Sequence, residues 1–321
     1  MAKYLDPKAD LTFKKVFGEH KDLVISFLNA MLPLDEDSLI QEIEYLSPEM
    51  VPENPARKYS IVDVRCADAM GRQFIVEMQM IWSPEFKNRV LFNASKAYVR
   101  QLGKGEDYEL LQPVYSLNLV NDVFEPDIKG YYHHYSMVHL EHTDKVIEGL
   151  HLVFIELPKF RPHTYNEKKM QVLWLRYLTE IDEATTEVPD DLLEIPQVKK
   201  AIDVLKESAF TTEELAGYQK FWDMVSTEKT YFSSAERRGL AKGRAEGRAE
   251  GWAKGRVEGR AEGRAEGRVE GRAEGRVEGR AEGRAEAMLE TAKKMLAMGL
   301  DRATVAQVTG LGMEQIRQID V

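Results

Sequence analysis

The chain has 321 residues, 43% of them hydrophobic, and a formal net charge of −10. That is enough apolar material for a sizeable core, while no apolar run approaches the ~18 residues of a membrane span and the first residues lack a signal-peptide core. The negative balance argues against a surface coated in DNA-neutralising cations, and a single cysteine, Cys66, excludes an intrachain disulfide, so a soluble cytoplasmic protein is expected.

In chain order, the first helix is FKKVFG, opened by Asp10, an acidic residue suited to capping backbone N–H groups. Residues 57 to 81 then read as a β-hairpin in which KYSIVDVRCAD and RQFIVEMQM are strands and AMG is the loop, with Gly71 at its left-handed position. Such a loop pairs Asp68 with Arg72. Counting outward, Asp63 falls opposite Glu77 with Cβ atoms ~5 Å apart, and Gln79 joins them on the same face. The other face carries Val62, Val64 and Cys66 opposite Phe74, Val76 and Met78, an apolar surface that packs on a core. Two carboxylates directly across a sheet repel unless a proton or a cation is shared between them. Hard Mg²⁺ would remove that penalty, because it takes a few carboxylate oxygens, keeps several waters and accepts phosphate oxygens; phosphodiester hydrolysis uses this arrangement.

The segment SPEFKNRVLFNASKAYVRQLGKG reads as the next helix, with Phe86, Val90, Ala97 and Leu102 as core positions. It also carries Lys87, Arg89, Lys96, Arg100 and Lys104, of which Arg89, Lys96 and Arg100 lie near one face. That face either tracks a phosphate backbone or is a solvated basic surface. QPVYSLNLVN is a buried strand, giving the core order helix, three strands, helix, strand. Next, YYHHYSMVHLEH reads as a strand on which His133 and His139 share one face and His134 and His142 the other, so no three histidines converge and no zinc site is expected. HLVFIELPKF suggests a short central strand ended by Pro158. From Tyr165 to Ser233 the pattern is helical, with Trp174, Leu175, Leu178, Leu215, Tyr218, Phe221, Trp222 and Val225 on apolar faces.

At Gly243 the composition changes into Gly-Arg-Ala/Val-Glu units that run through Glu286, broken at Trp252, Ala253 and Lys254. Gly at every fourth position costs ~1 kcal/mol each against Ala, and like charges stack at i, i+4. The stretch therefore reads as a solvated spacer, helical in part. A second reading comes from helical geometry: parallel helices meeting on their Gly rows would set each Arg row against the partner's Glu row, forming a homo-oligomer over a short right-handed seam. Beyond it, Met288, Ala292, Met295 and Leu296 form an apolar helix face, Gly299 ends that helix and Asp301 caps the next. VAQVTGLGMEQIRQI resembles a small helix-turn-helix that either reads DNA or docks on a partner. The chain thus divides into 1–235, the repeat 236–286 and a helical hairpin 287–321.

Three stretches carry a family resemblance: DPKADLTFKKVFGE followed by LVISFLNAMLP, then IVDVRCADAMGRQFIVEMQM, then RVLFNASKAYVRQLGKGEDYELLQPVYSLNLVND. Over roughly residues 6 to 125, and more loosely to about 235, they resemble the recombination-promoting nuclease (Rpn) and transposase family of the PD-(D/E)XK nuclease superfamily. The superfamily carries Glu-x-Lys where this chain has Glu77-Met78-Gln79, and the Gln form is the rule in the family. The resemblance implies a restriction-endonuclease-like α/β fold, a mixed β-sheet flanked by helices, with the helical repeat as an extension. It implies a DNA endonuclease using Mg²⁺ or another divalent cation such as Mn²⁺ or Ca²⁺, and serving recombination or mobile-element movement. Asp63 and Glu77 would be metal ligands, the Met78 carbonyl a third, and Gln79 would orient the water or a phosphate oxygen. A cation among Lys14, Arg89 and Lys96 would replace the missing Lys, and Arg100 would continue the DNA contact. Asp10 matches the family's opening acidic position, so a ligand role stands beside the capping role. The competing class is an inert module that binds DNA or a partner and oligomerises through the repeat.

Overall fold

The computed structural model describes residues 3–50, 60–162 and 169–319. Two compact units divide the chain, 1–233 and 234–321. The first begins with α1 (Asp10–Glu19) and α2 (Lys21–Met31), whose apolar stripes Phe13, Val16, Phe17 and Leu23, Val24, Phe27, Leu28 are fully buried. Spacing of three and four between those residues is what makes one continuous inner face.

A six-stranded mixed sheet follows, in the spatial order β1 (Ile43–Tyr45), β4 (Val64–Asp68), β5 (Gln73–Gln79), β6 (Val114–Val120), β8 (Val146–Glu156), β7 (Tyr132–Val138). A separate two-stranded piece pairs β2 (Glu49–Met50) with β3 (Ser60–Ile61). The β4–β5 hairpin has the predicted register: Val64 faces Val76, Cys66 faces Phe74, and the Asp68 N–H bonds the Arg72 carbonyl at 3.0 Å across the turn. Gly71 takes φ +85°, the left-handed conformation that the turn needs. Of the segment read as this hairpin, residues 57–59 lie outside the described residues. β5, β6 and β8 run parallel; the crossover helix α3 (Pro84–Val99) joins β5 to β6, and β7 lies between β6 and β8 in the chain. The helix, three strands, helix, strand order is therefore realised in the main sheet.

Both faces of the sheet are covered. α1, α2, α4 (Met170–Glu180) and α6 (Pro196–Val204) pack the main core against Val64, Cys66, Phe74, Val76 and Leu117, while α3 packs Phe86, Val90, Ala94 and Ala97 against Ile75, Val114, Val120 and Phe154. Val62 departs from its predicted place. It is buried with Ile75, Ala94 and Ala97 on the α3 side, because the chain leaves the β4 ladder there and the Val62 N–H bonds the Pro48 carbonyl as β3 turns to β2. Leu102 also lies outside the helix assigned to it, since α3 stops at Val99.

Further corrections concern the later strands and helices. β8 is long, from Val146 to Glu156, and the turn at Leu157–Lys159 begins one residue before Pro158. His139 and His142 lie beyond β7, His133 pairs with buried Glu156 at 2.9 Å, and His134 meets His151 of β8 at 3.2 Å, so strand alternation did not govern all four histidines. Of the segment read as helical from Tyr165, residues 165–168 lie outside the described residues, and the described part forms α4, α5 (Asp190–Leu193), α6 and α7 (Thr212–Ala297). The repeat is helical throughout its length, and its side chains are exposed, so backbone hydrogen bonds rather than core packing hold it. At the two places where Lys precedes Glu by four residues, ion pairs form: Lys242–Glu246 at 3.8 Å and Lys254–Glu258 at 3.9 Å. No helix among the described residues is long and apolar enough to cross a membrane.

The second unit closes as the sequence indicates. Gly299 adopts φ +82° after α7, and the Asp301 side chain accepts from the Ala303 and Thr304 N–H groups, each at 3.0 Å, to start α8 (Arg302–Thr309). α9 (Met313–Arg317) then packs Ile316 on Ala292 and Val305, with Met295 and Leu296 alongside. Met288 is exposed and stands outside this cluster, because the hairpin covers only the last turns of α7.

Candidate active site

An open cleft of about 830 Å³ lies along the end of β5 and the outer turns of α3. Its lining includes Lys14, Asp63, Glu77, Met78, Gln79, Arg89 and Asn93, with Ile61 and Phe92 as apolar rim. Glu77 sits in the middle of the sheet, paired with Asn118 of β6, and is turned toward α3, where only 4% of it is exposed. Asp63 lies in a bend just beyond the last β4 pair, Val64–Val76, and lines the same cleft as Glu77.

The end of the ladder explains how Asp63 is held. Gln79 gives its carbonyl to the Asn121 N–H on the β6 side, so Met78, one residue earlier, turns its N–H and carbonyl toward β4. No β4 residue is left to pair there. The Asp63 carboxylate takes the Met78 N–H instead, at 2.7 Å. A strand break thus places a carboxylate where a backbone acceptor would be.

Burial raises the Asp63 carboxyl to about 6; the Met78 N–H and Lys14 act against this, and Glu77 and Asp10 add to it. Burial likewise raises Glu77, opposed by Arg89 and by the Asn93 amide. Both carboxylates therefore hold protons more tightly than free ones, the expected result of packing two acids into one poorly solvated cleft. Two cations stand against them. Lys14 Nζ is 3.9 Å from Asp63 and 2.6 Å from Asp10, and Arg89 Nη2 lies 3.3 Å from Glu77 Oε2 and 2.7 Å from Gln79 Oε1.

The donor set suits a hard divalent cation. Asp63 and Glu77 offer carboxylate oxygens and Met78 a carbonyl, all of the oxygen type that Mg²⁺, Mn²⁺ and Ca²⁺ accept. Among the described residues no three His, Cys, Asp or Glu side chains converge on one point, so water would complete the coordination. Mg²⁺ commonly keeps several waters in such sites.

The remaining sequence-predicted residues are placed unevenly. Asp10 is not the helix cap, which is Ala9; it is the first residue of α1, and its carboxylate engages Lys14 one turn on rather than lining the cleft. Lys14 lies between the two acids, which is why Asp10 does not form a third carboxylate wall. Gln79 lines the cleft with its Nε2 tied to the Ile81 carbonyl at 2.6 Å and its Oε1 on Arg89. Lys96 is turned away to the Met50 carbonyl and Ser60, and Arg100 caps the far end of α3 near Lys96 and Arg65. These two extend a basic row from the cleft without lining it. Lys87 pairs with Glu125 over the Trp82 and Phe124 rings.

Asn93 was missed from the sequence. It is fully buried, and its Nδ2 donates to Glu77 Oε1 at 3.0 Å. A signal existed: Phe86, Val90, Asn93 and Ala97 share one helical stripe, so a carboxamide interrupts an otherwise apolar face.

Residues 7–233 match the family model described as PD-(D/E)XK nuclease family transposase. Residues 285–320 match that of the Rpn/YhgA-like nuclease family, C-terminal HTH domain. Neither the curated proteins nor the solved structures contain a match.

Proposed function

The chain belongs to the PD-(D/E)XK nuclease family transposases, and on that premise we propose that it is a divalent-cation-dependent DNA endonuclease acting in the cleft between β5 and α3. The observation that carries this reading is the meeting of Asp63 and Glu77 at the end of the β4–β5 ladder, both poorly solvated and both raised in proton affinity. Asp63, Glu77 and the Met78 carbonyl would hold a cation, and its charge would offset that repulsion. When bound, it supplies polarisation of the phosphodiester and a lower pKa for the attacking water.

The side chains do the rest. Gln79 orients the attacking water through its carboxamide. Arg89 leaves Glu77 and Gln79 for the scissile phosphate, which a planar guanidinium can clasp through two N–H groups, and so takes the part of the superfamily's Lys. Lys14, held by Asp10, offsets the charge of Asp63. Lys96 and Arg100 meet phosphates farther along the strand, giving local DNA affinity to a chain whose overall charge is −10. The C-terminal helix-turn-helix serves as a second DNA contact, and the Gly-Arg-Ala/Val-Glu helix as a parallel homo-oligomerisation element. Sedimentation of the full chain across salt concentrations tests the latter, and a monomer at every salt eliminates it.

Nicking of supercoiled plasmid in Mg²⁺ or Mn²⁺ tests the central reading. Activity should vanish in Asp63→Asn and Glu77→Gln and in excess chelator. Equal activity in both variants would place the chemistry elsewhere.

A further inference from the structure

Glu77 is held by two donors of different kinds. Arg89 is 47% exposed at its side chain, reaches Oε2 at 3.3 Å and shares its Nη2 with Gln79, so its own head group can swing into solvent. Asn93 is fully buried, comes from the inner stripe of α3, and bonds Oε1 at 3.0 Å. Because an ionised carboxylate only accepts, this contact fixes the amide with its NH₂ toward Glu77 and its carbonyl away. That carbonyl, Oδ1, is buried and has no hydrogen-bond partner among the described residues.

An unpaired amide oxygen is a poor choice for packing, since a leucine of similar size would fill the position without a polar atom to desolvate. The arrangement makes sense if the amide is kept for its donor, which reaches Glu77. We infer that Asn93 is a positioning residue: its Nδ2 pins Glu77 Oε1 so that Oε2 is presented to a divalent cation. Arg89 then holds Oε2 only while no cation is bound, whereas Asn93 holds Oε1 throughout. This inference rests on the cation-dependent nuclease reading and adds to it a residue outside the Asp, Glu-x-Gln pattern.

Mn²⁺ binding to the full chain, followed by electron paramagnetic resonance, and plasmid nicking are measured for wild type, Asn93→Leu and Asn93→Asp. Asn93→Leu, which keeps the volume, should weaken Mn²⁺ binding about 10- to 100-fold and lower kcat, with KM for DNA unchanged. Asn93→Asp keeps the shape and the acceptor but replaces the donor with a second acid. It should move the acid limb of the kcat profile to higher pH, a readout that a packing role would not shift. A folded Asn93→Leu chain that binds Mn²⁺ like wild type, or an Asn93→Asp chain with an unmoved profile, overturns the inference while leaving the nuclease reading intact. A wild-type chain that neither binds Mn²⁺ nor nicks DNA sinks both.

Discussion

Replacing Asp63 with Asn should stabilise the cation-free protein at the same time as it abolishes cleavage. In the native chain the Asp63 carboxyl stands at about 6 against an ordinary 3.8, with burial as the main cause. A carboxyl raised on folding binds its proton more tightly in the native state, so stability is unaffected below the unfolded value and falls as pH rises from there through about 6. At ~1.4 kcal/mol per pH unit, the gap sets an upper figure of about 3 kcal/mol above pH 7. The side chain keeps 23% exposure, and solvent screening reduces the figure to about 2 kcal/mol. Asn removes this cost and can still accept the Met78 N–H through its Oδ1.

The assay is thermal unfolding in chelator at pH 8 and pH 4, followed by tryptophan fluorescence, since three of the four tryptophans, Trp82, Trp174 and Trp222, lie in the first unit and the fourth, Trp252, is already exposed. For a unit of this size, ~2 kcal/mol corresponds to a midpoint roughly 4–8 °C higher in the variant at pH 8, shrinking toward zero at pH 4. Saturating Mg²⁺ should reverse the order at pH 8 by stabilising wild type alone. A variant that melts below wild type in chelator at pH 8, or a gap of equal size at both pH values, would refute the claim that folding buries a charged Asp63 carboxylate here.

Three other outcomes follow from the same geometry. Cation affinity and nicking should both fall as pH drops through about 6, because Asp63 must lose its proton to act as a ligand; a rate flat from pH 7 to pH 5 would contradict this. Arg89→Ala should lower nicking about 10²- to 10³-fold yet leave Mn²⁺ affinity equal or tighter, since it removes a positive charge from Glu77; weaker Mn²⁺ binding would show that Arg89 supports the site rather than occupying it. Ile316→Ala removes a fully buried side chain from the small C-terminal core and should cost about 2–5 kcal/mol, exposing the hairpin to limited proteolysis while the tryptophan-monitored melting of the first unit stays unchanged.

Local sequence grammar determined a good deal of this protein. A Gly placed for a left-handed turn fixed the hairpin loop, and a period of two then carried the register outward to the Val64–Val76 pair, next to Asp63 and Glu77. Gly299 and Asp301 marked a helix end and the next helix start for the same kind of reason: a backbone conformation or an orphan N–H group is satisfied by residues close in sequence. What only the tertiary structure decided is where strands end and what covers them. Val62 changed sides because β3 departs to pair with β2, and that departure freed the Met78 N–H for Asp63. Asp10 was drawn to Lys14 rather than into the cleft, and the His134–His151 meeting depends on β7 and β8 being neighbours. Asn93 shows the limit most plainly. Its position on an apolar stripe was visible, but its partner, Glu77, comes from a strand that α3 covers only after the crossover folds back on the sheet, and a contact between two elements is not written in the periodicity of either.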